Sequence, residues 1–386
     1  MFLKAVAVGL LLAVCLIGRR VEGQRRGKKI VSGDSLIYLG QDRNPWKPLI
    51  RTAANISEIR SIKSTFQFRT YDPEGVIFYG DSGDAQDWFI LSLKDGFPLM
   101  QISKGDVQVS VTGGPKLNDG IWHTLDVGSK GKFVVLDVDN LPGLVVGMHS
   151  QQTKEVVSGQ IRLALGGLLA SKDKMIVELD PQMDGCVRDG RWLNLSMPWE
   201  VDEDELLLCH QNIQPGSYFA QEGFSLFNTS VFDIDEESGL TVGLSGNFSQ
   251  MDGTLLSVMS SEGELLGALR ADNKTNKLHV TIGKHKDELT NNCKRLQITF
   301  LRSKVEVLQT LDKSISFSYD QESTPGYITA LRGGRLAIGG LLGDREDMVG
   351  SHFLTGCLEK IQIQGNNIDL DTALKDKSAS SHSCPV

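Results

Sequence analysis

The sequence lacks both the excess of basic residues that nucleic-acid binding requires and the motifs of the common enzyme classes. It contains 40 Lys and Arg residues against 48 Asp and Glu residues, a net charge of −8 at pH 7. A general nucleic-acid binder needs clustered Lys and Arg to neutralise phosphates. The chain also has no G-x-S-x-G elbow, no Walker loop and no G-x-G-x-x-G motif. We therefore expect a binding protein that is not an enzyme and has no nucleic-acid partner.

Long apolar runs are scarce as well. The run at 5–17 follows Lys4 and precedes small residues before Gln24, which is the pattern of a signal peptide. It is short for a membrane span, and no later run reaches membrane length. We assign residues 1–23 to this leader. The sequence therefore predicts a secreted, extracellular chain without a membrane span.

Cysteine is sparse, with six in the chain, of which Cys15 lies in the leader. An oxidising compartment favours disulfides, and an odd number in the mature chain leaves one thiol over. The spacing suggests the pairs Cys186–Cys209 and Cys357–Cys384, each closing a loop near a domain end. Cys293 is then the unpaired cysteine, expected to be buried in a strand. N-x-S/T sequons mark candidate glycosylation sites at Asn55, Asn194, Asn228, Asn247 and Asn273.

The sequence does contain an internal repeat. The run LALGGLL is followed by DGCVRDG, and about 170 residues later LAIGGLLG is followed by TGCLEKI. Each half then ends at a further cysteine. We place a polar, flexible N-terminal arm at 24–44, a first domain at 45–209 and a second domain at 210–386.

Both halves are rich in short runs with strand character. STFQFRTY alternates so that Phe66 and Phe68 share one face. Runs such as VIFYG, DWFILSL and KFVVLDVD are separated by the turn signals DSGD, KDG and NDG. No long segment repeats apolar residues at helical spacing. The pattern predicts an all-β chain of two antiparallel β-sandwiches.

Four motifs in the first half carry a family resemblance. RTYDPEGVIFYGD, DWFILSLKDG, GGPKLNDGIWHTLDV and LALGGLL with DGC together resemble a laminin G-like domain. The tandem pair resembles the plasma sex-steroid carriers of that family, from about residue 46 to residue 384. The second half lacks a counterpart of DPEGVIFYGD, and its matching region reads FDIDEESGLTVGLSG. The resemblance implies jelly-roll sandwiches, an androgen or oestrogen between the sheets of the first domain, and a homodimer through that domain.

The resemblance also assigns steroid-binding roles to residues of the first domain. Ser64 takes the position that meets the A-ring oxygen, where a hydroxyl can donate to a ketone or accept from a phenol. Asp87 takes the position that meets the 17-hydroxyl, and its carboxylate can only accept. Phe89, Val127 and Ile161 take apolar lining positions. Apolar burial would supply most of the affinity, and the polar groups would set orientation.

The chain departs from the family pattern at Lys104, where the family has an asparagine that meets the 17-hydroxyl. Lysine only donates and is charged, so Lys104 either donates to the 17-oxygen or pairs with Asp87. Alternatively, Lys104 extends into solvent on its alkyl stem and takes no part. The polar segment 148–159 resembles the mobile cover of the pocket, and an exposed hairpin loop is the alternative.

A cation site is expected at the DPEG turn. Asp72 and Glu74 supply carboxylates on either side of Pro73, and calcium prefers several oxygen ligands. The resemblance implies calcium there, with the backbone carbonyl of Gln182 as a third ligand. Zinc is not expected, because the histidines show no ligand spacing and Gly105 replaces a family histidine.

Two functions compete. The first is the secreted plasma carrier of sex steroids, which controls the level of free hormone. The alternative is a calcium-dependent adhesion or receptor-binding module, because laminin G-like pairs also occur in matrix proteins and in ligands of receptor kinases. Its partners would be matrix or cell-surface proteins. The few cysteines leave no room for the cysteine-rich modules that accompany such ligands, and RRGKK at 25–29 forms only a small basic patch.

Overall fold

The structure is a computed structural model. It describes residues 28–32, 34–39, 41–42, 47–59, 63–83, 85–130, 133–147, 159–193, 198–202, 206–310, 314–320, 326–343 and 349–386. The leader, the sequon Asn194 and the predicted cover at 148–159, apart from Gly159, lie outside the described residues. No helix in these ranges has the length and apolar character needed to span a bilayer.

The first half of the chain is built from short strands and two 3-10 turns. The strands are β1 (Lys28–Val31), β2 (Ile37–Leu39), β3 (Gln41–Asp42), β4 (Lys47–Pro48), β5 (Ile50–Asn55), β6 (Ser64–Thr70), β7 (Gly75–Asp81), β8 (Trp88–Lys94), β9 (Phe97–Lys104), β10 (Val107–Thr112), β11 (His123–Lys130), β12 (Phe133–Val138), β13 (Leu141–Gly147), β14 (Gln160–Leu165), β15 (Gly185–Arg191) and β16 (Trp199–Asp202). The 3-10 turns are Ile56–Glu58 and Lys172–Lys174.

The second half adds a short helix to the same kind of strands. The strands are β17 (Ile213–Pro215), β18 (Ser217–Asn228), β19 (Leu240–Gly246), β20 (Gly253–Met259), β21 (Leu265–Asp272), β22 (Lys277–Ile282), β23 (His285–Thr290), β24 (Arg295–Phe300), β25 (Lys304–Thr310), β26 (Ser314–Asp320), β27 (Arg335–Ile338), β28 (Leu341–Leu342), β29 (Val349–Ser351), β30 (Gly356–Ile363), β31 (Asn366–Asn367), β32 (Lys375–Ser380) and β33 (Ser383–Pro385). The helices are α1 (Tyr327–Leu331) and 3-10 turns at Thr229–Val231, Phe248–Gln250 and Leu370–Thr372.

The first half folds as two facing antiparallel sheets. One has eight strands in the order β1-β16-β5-β14-β7-β8-β9-β10, and the other has six in the order β13-β12-β11-β6-β15-β2. A single apolar cluster takes side chains from both sheets, such as Phe66 and Phe78, whose ring centroids are 6.4 Å apart. This is the predicted sandwich, in which the inner faces fill the space between the sheets.

In the second half one long strand connects the two faces of the sandwich. The first residues of β18 pair with β30, and its last residues pair with β27. In the first half the same places, beside β15 and β14, are taken by two separate strands, β2 and β5. The antiparallel strands and the apolar cluster of each half confirm the all-β, tandem-sandwich prediction.

Part of the segment predicted to be a flexible arm forms strands instead. β1 pairs with β16 and β2 pairs with β15, and Ile37 and Leu39 are buried in the core of the first sandwich. These strands are short, with four and three residues. Because their pairing partners lie far along the chain, local sequence gives little signal for them.

The second half does have a counterpart of the DPEG turn, although the sequence predicted none. Gly75 begins β7 with φ 146°, and a side chain there would meet the Gln182 carbonyl at 2.0 Å. Gly253 begins β20 with φ 109°, and a side chain there would meet the Phe353 carbonyl at 2.1 Å. Both carbonyls lie just before the DGC or TGC motif. The assignment to FDIDEESGLTVGLSG is therefore wrong, because the equivalent turn ends at Asp252 and Gly253 and shares little other sequence with DPEG.

Each half contains one disulfide. They join Cys186 to Cys209 and Cys357 to Cys384, which are the pairs that the spacing suggested. Among the described residues Cys293 is the free cysteine; it is buried, but it lies before β24 rather than in a strand. Burial raises the pKa of the Cys293 thiol, which makes it a poor nucleophile at neutral pH.

Candidate functional site

Four of the predicted steroid-binding residues face the interior of the first sandwich. Ser64 on β6 and Val127 on β11 are opposite each other in the register, and both are buried. Phe89 on β8 and Ile161 on β14 lie on the opposing sheet. They pack against the same apolar cluster but are only partly buried. The two sheets therefore present these residues to one shared interior.

The Ser64 hydroxyl is a polar group in an otherwise apolar surrounding. Ser64 is 0% exposed and shares a strand face with Phe66 and Phe68, because alternate residues of a strand point the same way. Its oxygen accepts a hydrogen bond from the backbone N–H of Leu193 at 3.0 Å. A hydroxyl that accepts one bond can still donate another, so Ser64 is able to serve a ligand ketone.

A chain of aromatic rings crosses the interior beside Ser64. Phe66 stacks on Trp192 with ring centroids 4.6 Å apart, and Trp192 lies 5.0 Å from Phe78 and 5.4 Å from Trp199. Phe78 then meets Phe89 edge to face at 5.9 Å. No sequence motif marks Trp192 as a site residue. The signal that could have identified it is its position shortly after DGC, next to Leu193, which bonds to Ser64.

Gly80 contributes no side chain to the inner face of the eight-stranded sheet. The register places Gly80 between Phe89 on β8 and Leu163 on β14. A Cβ at this position would meet Leu163 Cδ2 at 3.0 Å. Because glycine adds no side chain, the face of Phe89 toward β14 stays uncovered by a residue of β7.

Asp87 and Lys104 lie at one end of this sheet. The register that pairs Trp88 with Ser103 places Asp87 opposite Lys104. Asp87 is half-buried, and its Oδ1 accepts the backbone N–H of Gly105 at 2.8 Å. Lys104 is exposed, and within the described part of the chain it forms no ion pair with Asp87. The Asp87 carboxylate thus fixes the turn between β9 and β10.

The predicted calcium residues come together only in part. Asp72 is 1% exposed, and its oxygens accept the backbone N–H groups of Glu74 at 2.9 Å and Asp184 at 2.8 Å. The Glu74 carboxylate accepts the N–H of Asp180 at 2.8 Å and lies 3.6 Å from Lys94 Nζ. Asp72 is therefore held inside the turn, while Glu74 is engaged with other groups.

Gln182 connects this turn to the second domain. Its backbone carbonyl lies against Gly75, beside the turn. Its side-chain Nε2 donates to Asp371 Oδ1 at 2.7 Å. The Gln182 Oε1 atom is buried and has no hydrogen-bond partner in the part of the chain that the structure describes.

Asp72 also faces residues of the second domain that no sequence motif marks. His382 Nε2 lies 3.5 Å from Asp72 Oδ1, 3.4 Å from Asp369 Oδ1 and 3.6 Å from Asp371 Oδ2. These residues are remote from Asp72 in the chain, so only the packing of the two domains brings them together. A buried imidazole nitrogen among carboxylates is the donor set of a metal site or of a charged cluster.

Charges and burial shift the pKa values in this cluster. Burial raises the pKa of Asp72 well above its usual range, although His382 acts in the opposite direction. Burial alone would lower the pKa of His382, but the carboxylates of Asp72, Asp369 and Asp371 outweigh it and raise this pKa well above its usual value. Both groups therefore hold their protons to higher pH than they would in water.

Two of the predicted calcium ligands have other charged groups beside them in this arrangement. Calcium takes about six to eight oxygen ligands, and here Glu74 faces Lys94 while an imidazole nitrogen lies beside the Asp72 carboxylate. The oxygens that remain close to the turn come from Asp72, Asp371 and the Gln182 carbonyl.

Comparisons with known proteins agree with this architecture. A model of the Laminin G domain family matches residues 68–197. Sex hormone-binding globulin of Phodopus sungorus is 28% identical over 352 residues, which cover 88% of this chain and 84% of that protein. The human sex hormone-binding globulin is 38% identical over 148 residues, which cover 38% of this chain and 37% of that protein. Domains LG4-5 of the mouse laminin alpha1 chain share the fold with a TM-score of 0.60 at 17% identity, covering 95% of this chain and 96% of that one.

These similarities concern the fold of the chain and the kind of protein it is. The structural likeness supports tandem laminin G-like β-sandwiches, and the sequence likeness to sex hormone-binding globulin runs along most of the chain. The related families are binding proteins, and the chain is a binding protein rather than an enzyme.

Proposed function

We propose that this chain, a tandem laminin G-like relative of the sex hormone-binding globulins, is a secreted carrier that binds sex steroids reversibly between the sheets of its first domain. Transport needs reversible binding only. The affinity of the carrier then controls the concentration of free androgen and oestrogen.

The observation that supports this proposal is a difference in side-chain burial between the two inner faces of the first sandwich. Phe89 and Ile161 point into the interior but stay partly accessible, at the end of the sheet where Asp87 lies. On the opposing sheet the Ser64 hydroxyl and Val127 are fully enclosed. An apolar interior with one polar group at depth and partly accessible apolar side chains on the facing sheet suits a rigid apolar plate with a polar atom at each end.

The energetics assign different tasks to these residues. Apolar burial at about 25 cal/mol per Å² would supply most of the affinity. The rings of Trp192 and Phe66, and the side-chain-free backbone at Gly80, offer flat surfaces to fused rings. Each neutral hydrogen bond adds only about 1 kcal/mol to the binding free energy. The Ser64 hydroxyl and the Asp87 carboxylate therefore set the orientation of the steroid more than its affinity.

Asp87 is suited to a 17-hydroxyl. Its Oδ1 accepts the Gly105 N–H, which leaves Oδ2 to accept from the ligand, and a carboxylate cannot donate to a 17-ketone. Lys104 lies opposite Asp87 in the register with its side chain exposed. Donation from Lys104 to the 17-oxygen stays a prediction.

A homodimer through the first domain is part of the proposal. β13 is an edge strand of the six-stranded sheet, and it exposes Leu141 at 69% and Val145 at 54%. Phe133 on the neighbouring β12 adds a third exposed apolar side chain. An edge strand with exposed apolar residues is suited to pairing with a second copy. Binding to matrix or cell-surface proteins stays a prediction.

Calcium binding is common among laminin G domains. For this chain, calcium at Asp72, Glu74 and the Gln182 carbonyl stays a prediction. Its test is whether calcium raises the midpoint of thermal unfolding and whether Asp72→Ala abolishes that increase.

The test of the proposed function is a titration of the purified full chain with labelled dihydrotestosterone and oestradiol, with and without chelator. We expect saturable binding of one steroid per chain for both ligands, with competition between them. Absence of saturable binding by correctly folded protein would eliminate the carrier function. The proposed calcium or adhesion roles would then have to be tested on their own.

A further inference from the structure

A lysine on the outer side of the first sandwich holds the loop that carries Asp87. The Lys174 Nζ atom donates a hydrogen bond of 2.8 Å to the backbone carbonyl of Ala85, and the two residues lie 89 positions apart in the chain. Ala85 lies two residues before Asp87, between β7 and β8. The contact therefore joins this loop to a segment that is remote in sequence.

The backbone at Ala85 has a conformation that needs such support. Ala85 is buried and has φ 56°, in the left-handed region that residues other than glycine rarely adopt. A conformation of this kind persists only where the surrounding structure holds it. The Lys174 ammonium binds the Ala85 carbonyl, and the Ser82 N–H donates to the Asp87 carbonyl at 3.0 Å, which closes the loop.

Lys174 is itself held in place by the segment 166–181, here called the strap, which covers the outer face of the eight-stranded sheet. Leu168 and Leu179 of the strap are buried against that face. The buried Gln101 side chain donates to the Val177 carbonyl at 3.1 Å and accepts the Val177 N–H at 2.8 Å. Because Lys174 lies between these anchors, its backbone position is fixed.

The strap also fixes the residue that follows Asp87. Trp88 is buried in the outer apolar cluster that the strap completes. Neighbouring side chains of a strand point to opposite faces, so Asp87 and Phe89 are directed to the inner face. The Asp87 Oδ1 atom accepts the Gly105 N–H at 2.8 Å. The strap thus restrains the chain on both sides of Asp87, and Gly105 sets the direction of its carboxylate.

We propose that Lys174 is a positioning residue that holds Asp87 in the orientation needed to distinguish a steroid 17-hydroxyl from a 17-ketone. This inference rests on the proposed steroid site. A carboxylate accepts a hydrogen bond from a hydroxyl and has none to give to a ketone, so a fixed Oδ2 favours the hydroxyl and repels the ketone oxygen. Loss of the Lys174 bond lets Asp87 turn away, for example toward Lys104, which lies opposite it in the register.

The test measures binding of testosterone and androstenedione, which differ only at C17, to the full chain. Lys174→Met removes the donor but keeps a chain of similar length. We expect the ratio of the two affinities to fall about fivefold, part of the tenfold or more that a hydrogen bond to a charged group can contribute. The fall should come from weaker testosterone binding, with androstenedione binding nearly unchanged.

Two variants serve as controls for this measurement. Lys174→Arg keeps a donor at the end of a long side chain and should retain the wild-type ratio. Lys172→Met changes an exposed lysine of the same 3-10 turn and should leave both affinities unchanged. Circular dichroism checks the fold of each variant.

Hydrogen exchange gives a readout that needs no steroid. The Gly105 amide is bonded to the Asp87 carboxylate, so its exchange rate reports whether that carboxylate is held in place. Lys174→Met should speed exchange at Gly105, and Lys172→Met should not. Wild-type exchange at Gly105 in Lys174→Met would overturn the positioning role whether or not the chain binds steroids.

The outcomes separate this inference from the carrier function. An unchanged affinity ratio in folded Lys174→Met, or equal weakening of both steroids, would overturn the inference and leave the carrier function intact. Absence of binding of either steroid to the wild type would instead refute the carrier function, and with it the role of Lys174 in steroid selection.

Discussion

The backbone N–H of Leu193 donates a hydrogen bond of 3.0 Å to the Ser64 hydroxyl in the interior of the first sandwich. The bond joins the chain just after β15 to the first residue of β6. Because both groups are buried, loss of the hydroxyl leaves the Leu193 N–H without a partner, which costs about 1–3 kcal/mol. Ser64 therefore contributes both to the stability of the first domain and to the proposed steroid site.

Replacing Ser64 tests its contact with the steroid. Ser64→Ala should weaken binding of dihydrotestosterone about fivefold, which corresponds to the loss of one neutral hydrogen bond of about 1 kcal/mol. Equilibrium binding measures the change, after circular dichroism has shown that the variant is folded. Ser110→Ala, on β10 between the inward-packing Val109 and Val111, is the control and should bind normally. Equal affinity of Ser64→Ala and the wild type would show that the serine has no part in recognition.

Adding a side chain at Gly80 should block the ligand. Gly80→Val adds a side chain that meets Leu163 Cδ2 and covers the gap beside Phe89. We expect steroid affinity to fall more than tenfold, a larger loss than that from one hydrogen bond. Gly128→Val is the matched control, because a Cβ there meets only the Lys63 side chain at 3.9 Å. Normal binding by folded Gly80→Val would mean that the steroid lies elsewhere.

Acid should destabilise the first domain through Asp81. The Asp81 side chain is buried, and burial alone would raise its pKa. Hydrogen bonds from Arg162 at 2.8 Å and from Tyr79 at 2.6 Å have the larger effect and lower the pKa of Asp81. A folded-state pKa below the unfolded value of about 3.9 contributes stability that is fully present above that value. The contribution is lost as pH falls through the folded-state pKa.

The measurement is the free energy of unfolding from urea denaturation between neutral pH and pH 3. It should fall as pH drops below about 4, and Asp81→Asn should flatten that decrease. Asp126→Asn removes the surface ion pair with Lys63 and should leave the profile unchanged. Parallel profiles for Asp81→Asn and the wild type would refute the role of Asp81.

The dimer prediction concerns the exposed edge at β13. Val145→Lys places a charge on the exposed face of that strand and should convert the dimer into a monomer, as measured by light scattering after size exclusion. Ile121→Lys changes another exposed apolar residue, outside the strands, and should leave the dimer intact. A Val145→Lys dimer of unchanged stability would place the interface on another surface.

The sequence predicts much of the fold because its signals are local. Alternation in STFQFRTY, the Asp-Gly turns and the repeated Gly-Gly and cysteine motifs each act within a few residues, and the structure has strands and turns at these places. The short strands β1 and β2 were not predicted, because each has too few residues to show a strand pattern and pairs with a strand far along the chain. The turn before Gly253 was missed because a backbone contact, not a side chain, defines it.

The residues of the candidate sites also differ in whether local sequence patterns predict them. Inward positions such as Ser64 and Val127 follow from strand alternation once a family pattern gives the register. The ring contact between Phe66 and Trp192 depends on how β15 ends, which local patterns do not encode. His382 approaches Asp72 only when the two domains pack against each other. The sequence alone therefore associates Asp72 with calcium and gives no sign that His382 lies beside it.

The most direct test is a crystal structure of the full chain with bound dihydrotestosterone. We predict four fused rings between Phe89 on one sheet and Val127 on the other, with the A-ring oxygen within 3.2 Å, the usual upper limit for a hydrogen bond, of the Ser64 hydroxyl. A first domain whose interior is filled by its own side chains, with the hormone absent or bound elsewhere, would contradict the account.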